Sequence, residues 1–387
     1  MLRKLFCILS VLVSFIMLFS SCSDIETVEL NQRLIIEAVG IDSKDGKYEV
    51  TIEGLDSFTV GITGTDVSSE NITRCYFFEG ETIGMAMNQI SVRTGLIPLF
   101  SQARVLVIGK KTAETELQAV LDFFRREYTT RTDILIAVSD TTAKEVLSSD
   151  FGKSISAGKI IETALDSGKH TSRCIYMPLY KFLNNLKNEA SSAFCPLICT
   201  KKNEFSELYE IDIHGTAVFY GDKITVLTSE ETLALSVFLN KTSNGDLSIK
   251  TDKGICTVEI IDCDTRIKTE TENGKIHFLI ENNLRCDIPE FLSPEFSSLT
   301  PGDTEKIAFL TAQHLAEKQA GIIDKFYFGQ KFDIFNFGRR IDLKNHKLYT
   351  EYIKKTDKYR ENVICDIKTS VSVRRIGKIL LDNSKEK

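Results

Sequence analysis

ARVLVIGKKTAETELQAVLDFFRREYTTRTDILIAV, residues 103–138, carries the pattern on which the fold turns. Residues 103–109 form a short, nearly continuous apolar run, as expected of a strand buried on both faces. Leu117, Val120, Leu121 and Phe124 then recur at i, i+3, i+4 and i+7, which puts them on one face of a helix over 113–126. Residues 133–138 are a second apolar run. Parallel strands need a crossover of this length between them, so the stretch reads as strand–helix–strand. Arg125 and Arg126 close the helix, where they offset its dipole rather than clamp a phosphate. Thr142-x-x-Glu145 fits a capping box that opens the next helix.

Upstream, residues 34–41 and 47–53 read as two strands joined through Asp45-Gly46, with Tyr48, Val50 and Ile52 on one face of the second. Residues 59–72 are rich in Gly, Thr and Ser and read as a loop, and a helix is expected over 81–93. Downstream, helices are expected over 154–165 and 178–188, followed by a strand at FCPLIC (194–199). The texture then changes. Strands 211–220 and 223–228 flank Gly221-Asp222, and Asn273-Gly274 is a strong hairpin signal between TRIKTET and KIHFLIENNLRC. Ser229 is placed to cap a helix over 230–240. Pro289, Pro294 and Pro301 mark a loop before a long helix over 303–326, and a helix over 343–354 precedes the last strand. In that strand Ile364, Asp366, Lys368 and Ser370 face outward, and its remaining apolar residues predict a bulge or burial on both sides.

The amino terminus has its own logic. Arg3 and Lys4 precede an almost purely apolar run over 5–19. Fifteen residues at ~1.5 Å each reach about 22 Å, short of a ~30 Å hydrocarbon core. A basic end, a short apolar segment and small residues make a secretory signal. Ser20, Ser21 and Cys22 follow, an arrangement that resembles a bacterial lipobox, although Phe19 stands where Leu is usual. The resemblance implies cleavage between Ser21 and Cys22 and lipidation of Cys22 with S-diacylglycerol and an N-acyl chain. Two or three chains anchor stably where one binds only reversibly. No other segment approaches the ~20 apolar residues of a span.

The chain has 387 residues, a formal charge of −6 and no Trp. Removing residues 1–21 takes away the two charges of Arg3 and Lys4, so −6 becomes −8. An acidic chain without basic runs excludes nucleic acid as a partner and leaves membrane attachment to the lipid. Of ten Cys, Cys7 leaves with the signal and Cys22 is lipidated. The other eight leave a disulfide reading open, with 105 pairings among which sequence cannot choose, but the favoured reading is of small buried hydrophobes, since most lie among apolar or β-prone neighbours. The five His residues spell no HExxH or Cys–His metal motif, and no GxSxG, P-loop or GxGxxG stretch occurs. Asp42, Asp45 and Gly46 resemble a calcium loop only loosely and read as a hairpin turn. No catalytic, cofactor-binding or metal-binding residue stands out, so the reading is of a non-enzyme without cofactor.

Four segments in order resemble the Ger(x)C family of bacterial spore germination lipoproteins: ELNQRLIIEAVGIDSKDGKYEVTIE, SQARVLVIGKKTAETELQAVLDFFRREYTTRTDILIAVSDTTAKEVL, HGTAVFYGDKITVLTSEETLALSVFLNK, and KFDIFNFGRRI followed by VSVRRIGKI. They span most of the chain from Cys22 to about Lys378. The family often carries Trp-Asp and an Arg pair after the Cys, where this chain has Ser23-Asp24-Ile25-Glu26, and family tryptophans near the end are missing, with Tyr349 and Tyr352 in that region instead. The resemblance implies the C subunit of a nutrient germinant receptor. Such a subunit is lipid-anchored at the outer face of the spore inner membrane and acts through contacts with integral membrane subunits of the A and B types. The fold expected is α+β or mixed α/β, in two to three compact domains after the signal peptide. The organisation expected is a signal peptide over 1–21, an anchor and tether over 22–30, an N-terminal α/β region over 31–200, and a C-terminal α+β region over 205–380 with room for two subdomains. The rival reading is a solute-binding lipoprotein of a membrane transporter, which needs two similar lobes around a cleft.

Overall fold

A computed structural model describes residues 29–56, 73–127, 130–152, 155–187, 192–220, 223–242, 244–272, 275–293, 299–350, 357–377 and 379–380. The loop expected over 59–72, the dipeptides Gly221-Asp222 and Asn273-Gly274, and Pro294 lie outside the described residues, as do residues 1–28. The fold is mixed α and β, built on two sheets.

The first sheet opens with the expected hairpin of β1 (Arg33–Lys44) and β2 (Lys47–Asp56). Asp45 and Gly46 both take positive φ, 51° and 77°, the conformation a two-residue turn requires. β3 (Thr73–Gly80) pairs with β2, and α1 (Ile83–Thr94), capped by Thr82, returns across it. β4 (Ile97–Leu99) and β5 (Val105–Gly109) both pair parallel to β1. All five residues of β5 are buried, with Leu106 and Ile108 in one core and Val105 and Val107 in the other.

The helix expected over 113–126 is two helices, α2 (Lys110–Thr115) and α3 (Leu117–Arg126). Glu116 breaks them at φ −128°, and its carboxylate accepts from the Tyr48 hydroxyl at 3.0 Å. Leu117, Val120, Leu121 and Phe124 are the buried face, as the periodicity required. β6 (Leu135–Ser139) runs parallel to β5. Thr142 caps α4 (Ala143–Ser148), and Ser156 caps α5 (Ala157–His170). After α6 (Leu179–Lys187), β7 (Ala193–Lys202) joins parallel to β6. β8 (Tyr209–Tyr220) and β9 (Lys223–Leu227) then extend the same sheet by two antiparallel strands. A division of the chain near 200–205 is therefore not a division between sheets.

α7 (Ser229–Phe238) begins one residue before the expected helix, because Thr228 rather than Ser229 is its cap and forms a capping box with Glu231. Every residue from Thr232 to Phe238 is buried. A helix covered on all sides lies between packed elements. Here one side meets the first sheet, where Thr232 donates to Thr216 at 3.2 Å, and the other meets the second. That sheet runs β10 (Gly245–Thr251), β11 (Gly254–Glu272), β12 (Lys275–Leu292), β13 (Val363–Ile376) and β14 (Ile379–Leu380). β13 pairs parallel to β12, and its even-numbered residues from 364 to 372 face outward; the bulge falls late, where the register skips Arg374.

α8 (Pro301–Ile322), capped by Thr300, covers the sheet's inner face and runs into a π-helical turn, Ile323–Gly329. Of the helix expected over 343–354, residues 351–354 lie outside the described residues; the described part is the end of α9 (Phe337–Lys344), whose first turn Asp333 clamps, a break at Asn345, and a short helical turn at His346–Leu348. Residues from both sheets share one buried hydrophobic cluster, and a second smaller cluster lies under α4 and α5. The eight described Cys are free thiols, with Cys174, Cys195, Cys256 and Cys286 buried.

Candidate functional site

Ser21 and Cys22, the sequence-derived cleavage and lipidation residues, lie outside the described residues. The candidate chemistry within the fold begins with buried carboxylates. Asp42, at the end of β1, accepts from the backbone N–H groups of Ala143 and Lys144, both at 2.9 Å. It is the second cap of α4, not part of a calcium loop. Gly40 completes the fit, since a Cβ there would meet Leu147 and Ala143 of α4 at 2.9 and 3.0 Å. Glu53 on β2 does the same for α5, accepting from Ala157 at 2.6 Å and Gly158 at 2.8 Å. Burial raises the pKa of both carboxyls, against the pull of those N–H donors.

Asp333 is the third. It accepts from Phe335, Phe337 and Gly338 N–H at 3.2, 3.0 and 2.7 Å. Burial pushes its pKa up to about 6, opposed by these donors and by the Arg360 guanidinium. The clamp folds Asp-x-Phe-x-Phe-Gly (333–338) into a hook whose two Phe rings enter an aromatic cluster. Phe337 stacks on Phe278 at 4.1 Å and meets Tyr327 edge-on at 4.9 Å, while Phe335 meets Phe238 of α7 at 4.9 Å. Perturbed carboxyl pKa values often mark reactive sites, but structural networks shift them too. In these three the oxygens are engaged by main-chain donors, and each holds a helix or turn in place.

An open groove of about 500 Å³ lies along β2, β3 and α1, lined in part by Phe77, Met85, Arg93 and Lys144. Arg93 donates to Phe77 O at 2.7 Å and lies over the Phe78 ring, while Gln89 donates to Glu79 O at 2.6 Å. Lys144 Nζ sits 4.6 Å from the centre of the Phe77 ring. Two carbonyls of this edge strand are thus occupied by α1 side chains, which limits strand addition there.

The fold also assembles a group that residue spacing alone did not reveal. Cys199 on β7 lies opposite Asp212 on β8, and Cys199 Sγ is 2.7 Å from His214 Nε2. The three ligand-type atoms lie within 4.8 Å of one another. Fifteen residues separate Cys199 from His214, so no local motif reports the pair. Laying FCPLIC against IDIHG as neighbouring strands would have found it.

The three buried carboxylates are thus committed to main-chain donors, and none of them lines the charged groove along β2, β3 and α1. Among the described residues no helix is long and apolar enough to cross a membrane. Residues 26–199 match the family described as the spore germination protein N-terminal domain, and residues 214–377 match the spore germination B3/GerAC like, C-terminal family. The chain belongs to this family of spore germination proteins. Spore germination protein GerQC of Bacillus cereus is 20% identical over 284 residues, covering 72% of this chain and 77% of that relative. Spore germination protein KC of Bacillus subtilis (strain 168) is 22% identical over 404 residues, covering 97% of each. The crystal structure of the GerBC protein matches with a TM-score of 0.58 at 16% identity, over 87% of this chain and 96% of that one, and shows the same fold.

Proposed function

We propose that this chain is the lipid-anchored, non-catalytic subunit of a spore germinant receptor. It would be held through Cys22 at the outer face of the spore inner membrane and act through contacts with integral subunits of the A and B types. The observation that carries the reading is the pair of family matches in order along the chain, 26–199 and 214–377, behind a lipobox-like LFSSC at 18–22. Confinement to a membrane raises effective concentration, so contacts too weak to hold a complex in solution suffice there. The transporter reading finds no support in the architecture. A solute-binding lipoprotein closes two similar lobes on its ligand, whereas here a mixed, parallel-centred sheet joins an unlike sheet through the buried α7.

The test is Cys22→Ala at the native locus, with membrane fractionation and nutrient-triggered germination as readouts. The reading expects protein lost from the membrane fraction and a lost nutrient response. Retention and a normal response would overturn the essential anchor.

A further inference from the structure

We propose that Cys199, Asp212 and His214 form a binding site for a divalent cation of the zinc class. The donor set is one thiol sulfur, one imidazole nitrogen and one carboxylate oxygen, all within 4.8 Å of one another. Sulfur, imidazole and carboxylate together suit a borderline-soft ion that tolerates tetrahedral coordination. Three protein ligands leave one position for water, the arrangement of an open rather than a closed zinc site.

The backbone builds this convergence. Cys199 and Asp212 are register partners across β7 and β8, so their side chains leave the same face of the sheet side by side. The register then skips, with Ile198 opposite Ile213 but Leu197 opposite Gly215, and His214 is the extra residue. A bulge of this kind re-aims a side chain; here it leaves His214 Nε2 at 2.7 Å from the Cys199 sulfur. Gly215 fixes the bulge: its φ is 139°, and a Cβ there would meet Leu227 O at 2.0 Å.

The surroundings favour a cation. Burial raises the Cys199 pKa, and Asp212, Asp140 and Glu145 raise it further, with Lys201 alone among the named neighbours opposing them. Those acidic groups disfavour a bare thiolate but attract a dication. On loading, the Cys199 S–H bond breaks, a sulfur–metal bond forms and the proton passes to solvent, with no change of oxidation state. Thiolate and carboxylate then balance the ion's two charges. Cys199 and Asp212 are half-buried and His214 is exposed, so an ion can enter from solvent. Asp140, at the end of β6, closes one flank through its own N–H to Ile198 O at 2.8 Å.

The experiment uses the full-length protein in detergent, stripped with chelator and kept reduced, and titrated with cobalt(II) and then zinc(II). Expected are a near-ultraviolet thiolate-to-cobalt band and tetrahedral d–d bands that saturate at one equivalent and bleach with zinc. Cys199→Ser loses the charge-transfer band, and Asp212→Asn and His214→Ala weaken binding by more than about tenfold. Cys256→Ser, which removes a buried thiol of the second sheet, leaves the spectrum unchanged. Circular dichroism verifies folding, and exposed His214 keeps the test valid if Cys199→Ser fails to fold. Absence of the band, or an unchanged band in Cys199→Ser or in folded His214→Ala, overturns the site and leaves a thiol–imidazole hydrogen bond.

Discussion

The two sheets solve the problem of buried polar groups in different ways. Where α4 and α5 cover the first, a buried carboxylate has no solvent to return to. Asp42 and Glu53 meet that demand by capping α4 and α5, elements about a hundred residues away in sequence. The second sheet is covered on one face. Its inner polar residues form a network in which Asn282 donates to Gln319 at 2.7 Å and to Thr369 at 3.0 Å, and Gln319 donates to Ala234 O at 3.3 Å. The Thr265 hydroxyl has two acceptors in reach, Val237 O at 2.8 Å and Asn282 Oδ1 at 2.9 Å. This network ties β11, β12 and β13 to α7 and α8. The outer face carries ion pairs instead, among them Lys268–Glu281 at 2.8 Å and Arg285–Asp262. In the first sheet single carboxylates cap distant helices; in the second a network of neutral side chains joins the strands to one another and to two helices.

That contrast can be broken where the sheets meet. Phe337→Ala removes a fully buried ring shared by α7, β12 and the π-helical turn, and is expected to cost about 3–5 kcal/mol in urea denaturation. A single cooperative transition is expected, because one core spans both sheets. Two transitions, with only one displaced, would show that the sheets unfold separately.

Asp333 gives a pH-dependent version of the same test. Its pKa stands at about 6 in the fold against an ordinary 3.8. Between those values the folded state holds more protons than the unfolded one. The group's contribution to stability is therefore full below about pH 4 and falls, by on the order of 2–3 kcal/mol, as pH rises through 6. Stability measured against pH in the wild type and Asp333→Asn should differ in slope across that window, and parallel curves would contradict the assignment.

Gln319→Leu leaves the Asn282 amide short of an acceptor and should cost about 1–3 kcal/mol, with hydrogen-exchange protection lost first along β12 and β13. Arg285→Ala, on the outer face, should move the urea midpoint by less than about 1 kcal/mol. A larger loss there would mean that the outer face is structural after all.

Much of the first sheet was legible because its signals are local. Continuous apolar runs at 103–109 and 133–138 and the i, i+3, i+4, i+7 face of α3 are fixed by period alone. The break at Glu116 was not legible, since it answers to Tyr48 on β2, 68 residues earlier. Nor was the membership of β8 and β9 in the first sheet, because their hairpin signal says that they pair with each other, not which strand they join. The Asp-x-Phe-x-Phe-Gly stretch was visible as a family signature, but its work as a carboxylate-clamped hook appears only when its backbone turns on Asp333. The Cys199–His214 contact depends on register and a bulge, neither of which spacing along the chain encodes. The lipidation proposed for Cys22 is the reverse case: it is read from the local sequence alone.

The central claim is that this chain works as a membrane-held receptor subunit. Its most direct test is to purify the tagged protein from cross-linked spore membranes and identify what accompanies it. The account expects two multi-span membrane proteins, both lost from the Cys22→Ala variant. Recovery of a transporter permease in their place, or of the same two partners without Cys22, would contradict it.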